Sequence, residues 1–340
     1  MLKRLTAVAA CAALLATGCS GSPSGEQGEG GQVTFALPFA GCLAWYPLYV
    51  AEENGYFEDE GIDAEFQATD GSGGAVQATL SGQAQLAATA PDAYLEASGA
   101  GADLEAFYGL YQRSTFSVVV PEGSPATDLS DLEGSTVGIS TPGGGDVVYS
   151  EWLLATEAGL TAEEDYQQLA VGEGSSAATA LSDGSVDAFA ATYVDEEVIS
   201  SGELDINVFT SEEAPDVVDN LLASTTEWAQ QNPEQVEGVG RALARGTAWG
   251  LENRDGVVDL CGTHAPEEVQ DPEFAEAIHG RVSELFELPE SADGQYGHID
   301  TGEFTDYAEE LAELGLVASA DGAENVHNDH VEAWNEDPAQ

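Results

Sequence analysis

Basic side chains are almost missing from this chain of 340 residues. Seven lysines and arginines stand against 63 aspartates and glutamates, which gives a formal net charge of −56, and the single lysine is Lys3. A surface this negative repels phosphate groups and therefore excludes nucleic acid and anionic lipid headgroups as partners. With 43% hydrophobic and 8% aromatic residues, the chain is nevertheless predicted to fold. We interpret the acidity as a halophilic adaptation, because salt screens the self-repulsion.

Long apolar runs are missing after the N-terminus, since no later run approaches the roughly 20 residues of a membrane-spanning helix. Residues 1–19 combine Lys3 and Arg4, a short apolar stretch and small residues before Cys19, which resembles the bacterial lipobox. We therefore predict a signal peptide and lipidation of Cys19, with an ordinary secretory signal as the alternative. Residues 20–31, rich in Gly, Ser and Glu, then form a flexible tether. The folded part is expected outside the cytoplasm, anchored at the outer face of the cytoplasmic membrane.

Cysteine is scarce, with four residues in the whole chain. Cys11 leaves with the signal peptide and Cys19 takes the lipid, so Cys42 and Cys261 remain. An oxidising location permits a disulfide between them. Two buried free thiols are an equally open alternative.

Signatures of enzymes and of metal or phosphate sites are missing too. The chain has no GxSxG, HExxH or GxxxxGK[ST] motif. Without a lysine in the mature chain there is no amine side chain for Schiff-base catalysis. His327 and His330 lie three residues apart, but we interpret them, like His264, as structural. No enzyme activity, cofactor or metal is predicted.

Strand-like and helix-like segments alternate along the chain, which predicts an α/β fold with mainly parallel sheets. Several helices are expected to end near glycines, and Gly55 is well placed to terminate the helix predicted over 49–54. From Thr226 onward the pattern becomes helical. The strand candidates are 33–39, 63–69, 85–90, 104–111, 116–121, 135–140, 166–171, 187–192, 205–210 and 218–224.

Two extended connections divide the chain into lobes. Residues 110–123 pass from one strand to the next without a helix, and residues 212–225 return in a similar way. This predicts one lobe made of 32–112 plus 222–340 and a second lobe made of 118–214. Two such crossings form a hinge, and a small ligand is expected in the cleft between the lobes.

Four segments in order resemble blocks of a known family: PLYVAEENGYFEDEGID, ATLSGQAQLAATAP, DLSDLEGSTVGIS and LSDGSVDAFAATY. They look like the NMT1/THI5-like and SsuA-like periplasmic binding proteins, and the likeness covers nearly all of 32–336. The resemblance implies a type II periplasmic-binding-protein fold with a helical C-terminal segment. It also implies a monomeric, extracytoplasmic solute-binding component of an ABC importer, with the permease subunits as partners. A receptor that signals to a membrane sensor is the alternative.

Candidate ligand-binding residues follow the carboxyl ends of the predicted strands, because ligands of open α/β sheets bind there, near helix N-termini. Core positions for Trp45 and Tyr46, and helix capping by Asp146 and Ser175, are the alternatives. The candidates are Trp45, Tyr46, Asp70, Ser72, Thr89, Asp92, Gln112 and Arg113 in lobe one, and Gly143, Gly144, Asp146, Glu173, Ser175, Tyr193 and Asp195 in lobe two.

The charge of these candidates bears on the ligand. Arg113 is the only basic residue between the tether and Arg241, so a strongly anionic ligand has little to pair with. Aromatic faces and carboxylates suit a flat, nitrogen-rich heterocycle that is neutral or cationic. The resemblance suggests an aminopyrimidine thiamine precursor, and a receptor for sulfonate, nitrate or taurine is the alternative.

Overall fold

Two five-stranded sheets with helices packed on their faces make up the computed structural model, which describes residues 31–142, 144–202, 204–211 and 217–336. The predicted signal peptide, Cys19 and nearly all of the tether lie outside the described residues, as does Gly143. The predicted α/β class is confirmed.

All ten predicted strands are present, each with ends within two residues of the predicted ones. They are β1 Gly31–Leu37, β2 Ile62–Ala68, β3 Leu86–Thr89, β4 Leu104–Tyr111, β5 Phe116–Pro121, β6 Thr136–Ile139, β7 Gln167–Ala170, β8 Ala188–Thr192, β9 Ile206–Phe209 and β10 Asn220–Thr225.

The two sheets repeat one plan. The first has the order β2-β1-β3-β10-β4 and the second the order β7-β6-β8-β5-β9. In each sheet one inserted strand is antiparallel to both neighbours: β10 runs against β3 and β4, and β5 runs against β8 and β9. These two strands are the ones that arrive from the other sheet. We call the elements built on the first sheet lobe one and those built on the second lobe two.

Helices fill the connections between strands and most of the C-terminal third. In the described residues they are α1 Tyr46–Glu53, α2 Tyr56–Asp59, α3 Gly71–Leu80, α4 Pro91–Gly99, α5 Gly145–Ala158, α6 Ser175–Asp183, α7 Tyr193–Ser201, α8 Thr226–Gln231, α9 Pro233–Glu252, α10 Arg254–His264, α11 Pro272–Leu285, α12 Thr301–Glu313 and α13 Val331–Trp334. No helix of these described segments is long and apolar enough to cross a membrane.

The side-chain pattern of the first two strands explains how lobe one is layered. Strand β1 is buried on both faces: Phe35 and Leu37 contribute to one apolar core, and Ala36 contributes to the other. Strand β2 lies at the edge and alternates, with Ile62 buried and Asp63 exposed. A continuous apolar run therefore marks the inner strand, and period-two alternation marks the edge strand.

Two glycines are required by the backbone around α1. Gly55 has φ of 75°, the left-handed conformation predicted for the residue that ends this helix. Gly246 of α9 permits close packing on α1, because a Cβ there would lie 2.2 Å from the carbonyl oxygen of Pro47. The long helix α9 therefore packs directly against α1, the first helix of lobe one.

Two segments connect the sheets, 112–115 between β4 and β5, and 210–219 between β9 and β10. Of the second, residues 212–216 lie outside the described part. The first sheet takes its strands from 31–111 and 220–225, and the second from 116–209. The residue limits of the two lobes stay a prediction.

Candidate ligand-binding site

A cavity of about 470 Å³ lies where the two connecting segments meet helices of both lobes. This volume is within the range of ordinary small-molecule sites. We call it the hinge cavity. It is lined by Arg113, Ser114, Thr115, Phe116, Tyr149, Tyr193, Glu196, Thr210, Ser211, Val217, Arg281, Glu284 and Leu285.

Aromatic rings form much of the apolar wall of the hinge cavity. Phe116 begins β5 and lies 6.1 Å, centroid to centroid, from Tyr149 of α5. Tyr193 begins α7, and its backbone N–H donates to the carbonyl of Thr115 at 3.1 Å. Burial raises the pKa of Tyr149 to about 12 and also raises that of Tyr193. Both phenols are therefore neutral at physiological pH and present flat faces with one polar tip.

The charged wall of the cavity contains an ion pair between the lobes. Arg281 of α11 in lobe one contacts the carboxylate of Glu196 of α7 in lobe two. Glu196 is buried, accepts a hydrogen bond from the Ser117 hydroxyl at 2.6 Å, and has a pKa raised chiefly by burial. Arg281 also contacts Glu284 at 3.0 Å. This pair joins the lobes beside the cavity.

A second contact joins the lobes through the helices α5 and α12. Trp152 of α5 donates from its indole N–H to Glu310 of α12 at 2.7 Å. The Trp152 ring also packs edge-on against Tyr307 of α12, with centroids 4.8 Å apart. Two helices of lobe two, α5 and α7, therefore contact helices of lobe one.

A much smaller cavity of about 20 Å³ lies between these helices and the hinge. It shares Ser114, Phe116, Tyr149 and Val217 with the hinge cavity. We call it the carboxylate chamber, because Asp92 and Asp219 both line it. Three of the predicted site residues thus reach a cavity: Arg113 and Tyr193 line the hinge cavity, and Asp92 lines the chamber.

The prediction that Trp45 and Tyr46 stack on the ligand is wrong in this structure, because both are in the core. Their exposed fractions are 1% and 0%. Trp45 stacks on Tyr111 with centroids 5.6 Å apart, and Tyr46 packs edge-on against Phe286 at 5.1 Å. The segment between β1 and α1 places Trp45 against Tyr111 of β4 and Tyr46 against Phe286, which directly follows α11.

Three further candidates of lobe one hold the backbone and line neither cavity. Thr89 is fully buried at the end of β3. The Gln112 side-chain amide donates to the carbonyls of Gly109 and His298, both at 3.0 Å. The Ser72 hydroxyl accepts from the backbone N–H that follows Thr89 in the chain, at 3.1 Å. The hydrogen bonds of these side chains lie within lobe one, and the ligand-binding role of the three residues stays a prediction.

Two acidic candidates of lobe two fix strand-to-helix turns. Asp146 accepts hydrogen bonds from the backbone N–H and the hydroxyl of Ser140, at 2.9 and 2.8 Å. Asp195 forms a capping box with Thr192 and also accepts from the N–H of Gly174 at 2.7 Å. Both side chains are buried. Asp195 thus takes part in capping α7, whereas Asp146 fixes the Ser140 turn and makes no side-chain cap hydrogen bond to α5, so the capping alternative for Asp146 is wrong.

The other candidates lie at the carboxyl edges of the sheets without reaching either cavity. Asp70, Glu173 and Ser175 are exposed. Gly144 is the N-cap residue of α5, and Ser175 begins α6 without capping it through its side chain. The capping role proposed as an alternative for Ser175 is therefore wrong.

Several residues that line the cavities were missed. Thr115 and Glu196 each lie within two residues of a candidate, so a wider window around the strand ends would have found them. Asp219 lies inside the predicted strand 218–224 and directly before the amino end of the observed β10, so the rule for carboxyl ends of strands did not select it. Tyr149 and Arg281 lie inside helices, and nothing in the local sequence distinguishes them from core or surface residues.

Cys42 and Cys261 form a disulfide, one of the two alternatives left open by the sequence. The carboxylate of Glu268 reinforces this connection by accepting from the backbone N–H groups of Cys42 and Leu43, at 3.0 and 2.9 Å. The loop after β1 is therefore fastened to the C-terminal helices. Elsewhere, His264 pairs with Glu53 at 3.0 Å.

No group of three or more His, Cys, Asp or Glu side chains is placed to hold a metal ion in the described part of the chain. His327 lies 3.6 Å from Glu105, and His330 lies 3.4 Å from Glu237. Each histidine thus has its own acidic neighbour on the C-terminal surface.

The family described as NMT1/THI5 like matches residues 44–256, more than half of the chain. This chain belongs to that family. The resemblance seen in the sequence is therefore confirmed. The NMT1/THI5-like chain is similar to the riboflavin-binding protein RibY of Chloroflexus aurantiacus, with 29% identity over 248 residues. The aligned region covers 69% of this chain and 67% of RibY.

It is also 27% identical over 269 residues to the formylaminopyrimidine-binding protein of Halalkalibacterium halodurans, covering 76% of this chain and 79% of that protein. Both relatives are named as binding proteins and not as enzymes, as the sequence predicts for this chain. Among solved structures, the periplasmic aliphatic sulphonate binding protein SsuA of Escherichia coli matches with a TM-score of 0.68 at 16% identity. The match covers 86% of this chain and 91% of that one, which confirms the predicted type II fold.

Proposed function

We propose that this NMT1/THI5-like protein is the solute-binding component of an ABC importer and captures a small planar nitrogen heterocycle between its lobes. The observation that carries the proposal is the hinge cavity, whose walls come from both connecting segments and from helices of both lobes. A solute there contacts both lobes at once, so its binding energy favours the closed form.

The lining supports a heterocyclic ligand. Phe116, Tyr149 and Tyr193 provide ring faces, and hydroxyl groups such as those of Thr115 and Thr210 provide hydrogen-bonding groups for ring nitrogens or carbonyls. The two relatives named for riboflavin and formylaminopyrimidine bind flat nitrogen heterocycles, which supports the same class for this chain.

A sulfonate or nitrate receptor is the second candidate, because SsuA shares the fold. The cavity does contain two arginines, Arg113 and Arg281. Arg113 is paired with Glu287 at 3.5 Å, and Arg281 contacts both Glu196 and Glu284. An anionic ligand has to compete with these carboxylates, so the charge balance favours a neutral or cationic solute.

The remaining roles concern location and partners. A lipid on Cys19 and the glycine-rich tether hold the binding domain near the membrane, where lobe closure is read by permease subunits. A membrane sensor reading the same closure is the alternative partner. Cys19→Ala is expected to abolish incorporation of labelled palmitate and to release the protein from the membrane fraction. Palmitate labelling that persists in this variant contradicts anchoring at Cys19.

The function is tested by thermal unfolding in molar salt against aminopyrimidines, thiamine, riboflavin, taurine, alkanesulfonates, nitrate and amino acids. A solute at a hundred times its dissociation constant stabilises the fold by about 2.7 kcal/mol, a shift of a few degrees. We expect the shift with a heterocycle and none with sulfonate or nitrate.

A bulky substitution locates the bound solute. Thr210 lines the hinge cavity and is exposed, so Thr210→Trp fills the cavity at little cost to folding. It is expected to abolish the shift. Thr179→Trp, at an exposed position outside the cavity lining, is the matched control and should retain it. A melting-temperature shift with sulfonate alone overturns the proposed ligand class. A shift that persists in Thr210→Trp overturns the proposed location of the ligand.

A further inference from the structure

The carboxylate chamber adjoins the hinge cavity but differs from it in charge. The two share part of their walls, including Phe116 and Tyr149. The chamber is lined by two carboxylates, Asp92 and Asp219, and by no lysine, arginine or histidine among the residues that form it. At about 20 Å³ it has room for a group about as large as one water molecule.

Asp219 is the more deeply buried of the two acids, with an exposed fraction of 6%. One of its oxygens, Oδ2, accepts from the backbone N–H of Thr115 at 2.7 Å. Asp92 lies in the first turn of α4, close enough for its charge to raise the pKa of Asp219 further, beyond the larger effect of burial. Two carboxylates held this close without a basic partner favour a cation or a strong hydrogen-bond donor between them.

The Tyr307 hydroxyl is a second, independent sign of a ligand. Tyr307 lines the chamber and is 7% exposed, with its ring fixed by the edge-on contact with Trp152. The described residues provide no hydrogen-bond partner for its hydroxyl, and this oxygen is not among their enclosed polar atoms that lack a partner. The oxygen therefore retains accessible surface although the side chain as a whole is buried, and it is available to something that enters the chamber.

We propose that the carboxylate chamber receives a nitrogen donor group of the solute, an amino or amidinium group that donates to Asp92 and Asp219 while the Tyr307 hydroxyl completes its hydrogen bonds. This rests on the proposed function and makes it more specific: the ring occupies the hinge cavity and one polar substituent enters the chamber. Because Asp92 and Tyr307 belong to lobe one and Tyr149 to lobe two, the substituent is enclosed only when the lobes are together.

The experiment compares two probes of nearly equal shape, 4-amino-5-hydroxymethyl-2-methylpyrimidine and its 4-oxo counterpart, by calorimetric titration of the purified protein in molar salt. The amino form donates hydrogen bonds, whereas the oxo form presents an acceptor to two carboxylates. We expect the wild type to bind the amino form at least tenfold more tightly, since a hydrogen bond to a charged group is worth that much.

The variants are Asp219→Asn and Tyr307→Phe, with Asp70→Asn as the control because Asp70 is exposed and lines neither cavity. Asp219→Asn is expected to reduce the preference for the amino form to about threefold or less. Tyr307→Phe keeps the ring in the core and is expected to weaken binding of the amino form severalfold. The control should retain the full preference.

Several outcomes overturn the proposal. If the wild type binds riboflavin or another solute of the panel but shows no preference between the two pyrimidines, the proposed function stands and the chamber assignment fails. If no solute binds at all, both fail. The melting temperature can also be compared in Na⁺ and tetramethylammonium salts of equal ionic strength. If it is higher in Na⁺, and Asp219→Asn alone among the variants removes this difference, the chamber is a monovalent-cation site and the proposal is overturned.

Discussion

Asp219 provides a test of how burial sets the pH dependence of stability. Its carboxyl group is almost completely buried, and this burial, opposed by the hydrogen bond from Thr115 and reinforced by the charge of Asp92, raises its pKa to about 6. In the unfolded chain an aspartate titrates near its ordinary value of 3.8. The folded state therefore holds a proton that the unfolded state has already released between these two values.

The direction and the size of the pH effect on stability follow from this difference in the pKa of Asp219 between the folded and unfolded states. Below its unfolded-state pKa of 3.8 the group is protonated in both states and costs nothing. Between pH 3.8 and about 6 only the unfolded chain releases the proton, so the folded state loses stability across this interval, and the full cost is reached once the pH is above about 6. The interval between 3.8 and about 6 corresponds to about 3 kcal/mol. Asp219→Asn keeps the shape and an acceptor for the Thr115 N–H without the charge. We expect it to stabilise the fold by about that amount at pH 8 relative to its effect at pH 4.

The measurement is denaturant unfolding of the wild type, Asp219→Asn and Asp70→Asn in molar salt, at intervals from pH 4 to pH 8. The stability difference between Asp219→Asn and the wild type should grow between about pH 4 and pH 6 and level off above that. The difference for Asp70→Asn should stay constant. A difference for Asp219→Asn that does not change with pH, or that falls as the pH rises, would refute the account of a buried, uncompensated carboxylate.

Three further predictions concern stability. Replacing both Cys42 and Cys261 by serine should cost up to about 5 kcal/mol, since the bond closes a loop of 219 residues, and an unchanged unfolding midpoint under reducing and oxidising conditions contradicts this. Gly246→Ala should destabilise the fold by about 1 to 3 kcal/mol, because the added Cβ clashes with α1. Gly280→Ala is the control: a Cβ there meets nothing within 4 Å, so this variant should be neutral or stabilise the fold by up to about 1 kcal/mol. Equal unfolding midpoints for the two variants would be inconsistent with this packing. With a net charge of −56, the melting temperature measured by calorimetry should rise between about 0.1 and 2 M salt, and a flat profile argues against salt adaptation.

The local sequence pattern was sufficient to predict the strands, because the periodicity of apolar residues along a strand can be read without knowing the tertiary structure. The apolar run of β1 and the alternation of β2 located those strands within two residues. The left-handed glycine at position 55 has a steric cause that acts on the residue alone. Such features depend on neighbours in the chain, which the sequence shows directly.

The site was harder to predict because the same residue types serve as caps, core and ligand contacts. Asp146 and Asp92 both follow the carboxyl end of a strand, yet the first is used by the Ser140 turn and the second faces a cavity. Trp45 and Tyr193 are both aromatic residues next to helix starts, and only Tyr193 lines the hinge cavity. What separates them is the packing of other elements over them.

By itself, the sequence determined the α/β class, the ten strands, the family and the absence of basic groups that shapes the choice of ligand. The tertiary structure decided which polar groups are left for a ligand. Arg281, Tyr307 and Asp219 lie far apart in the chain, and each reaches the hinge only through the packing of α11, α12 and the returning segment. Whether a carboxylate is a cap or a recognition group depends on the hydrogen bonds that distant backbone offers it, and these exist only in the folded chain.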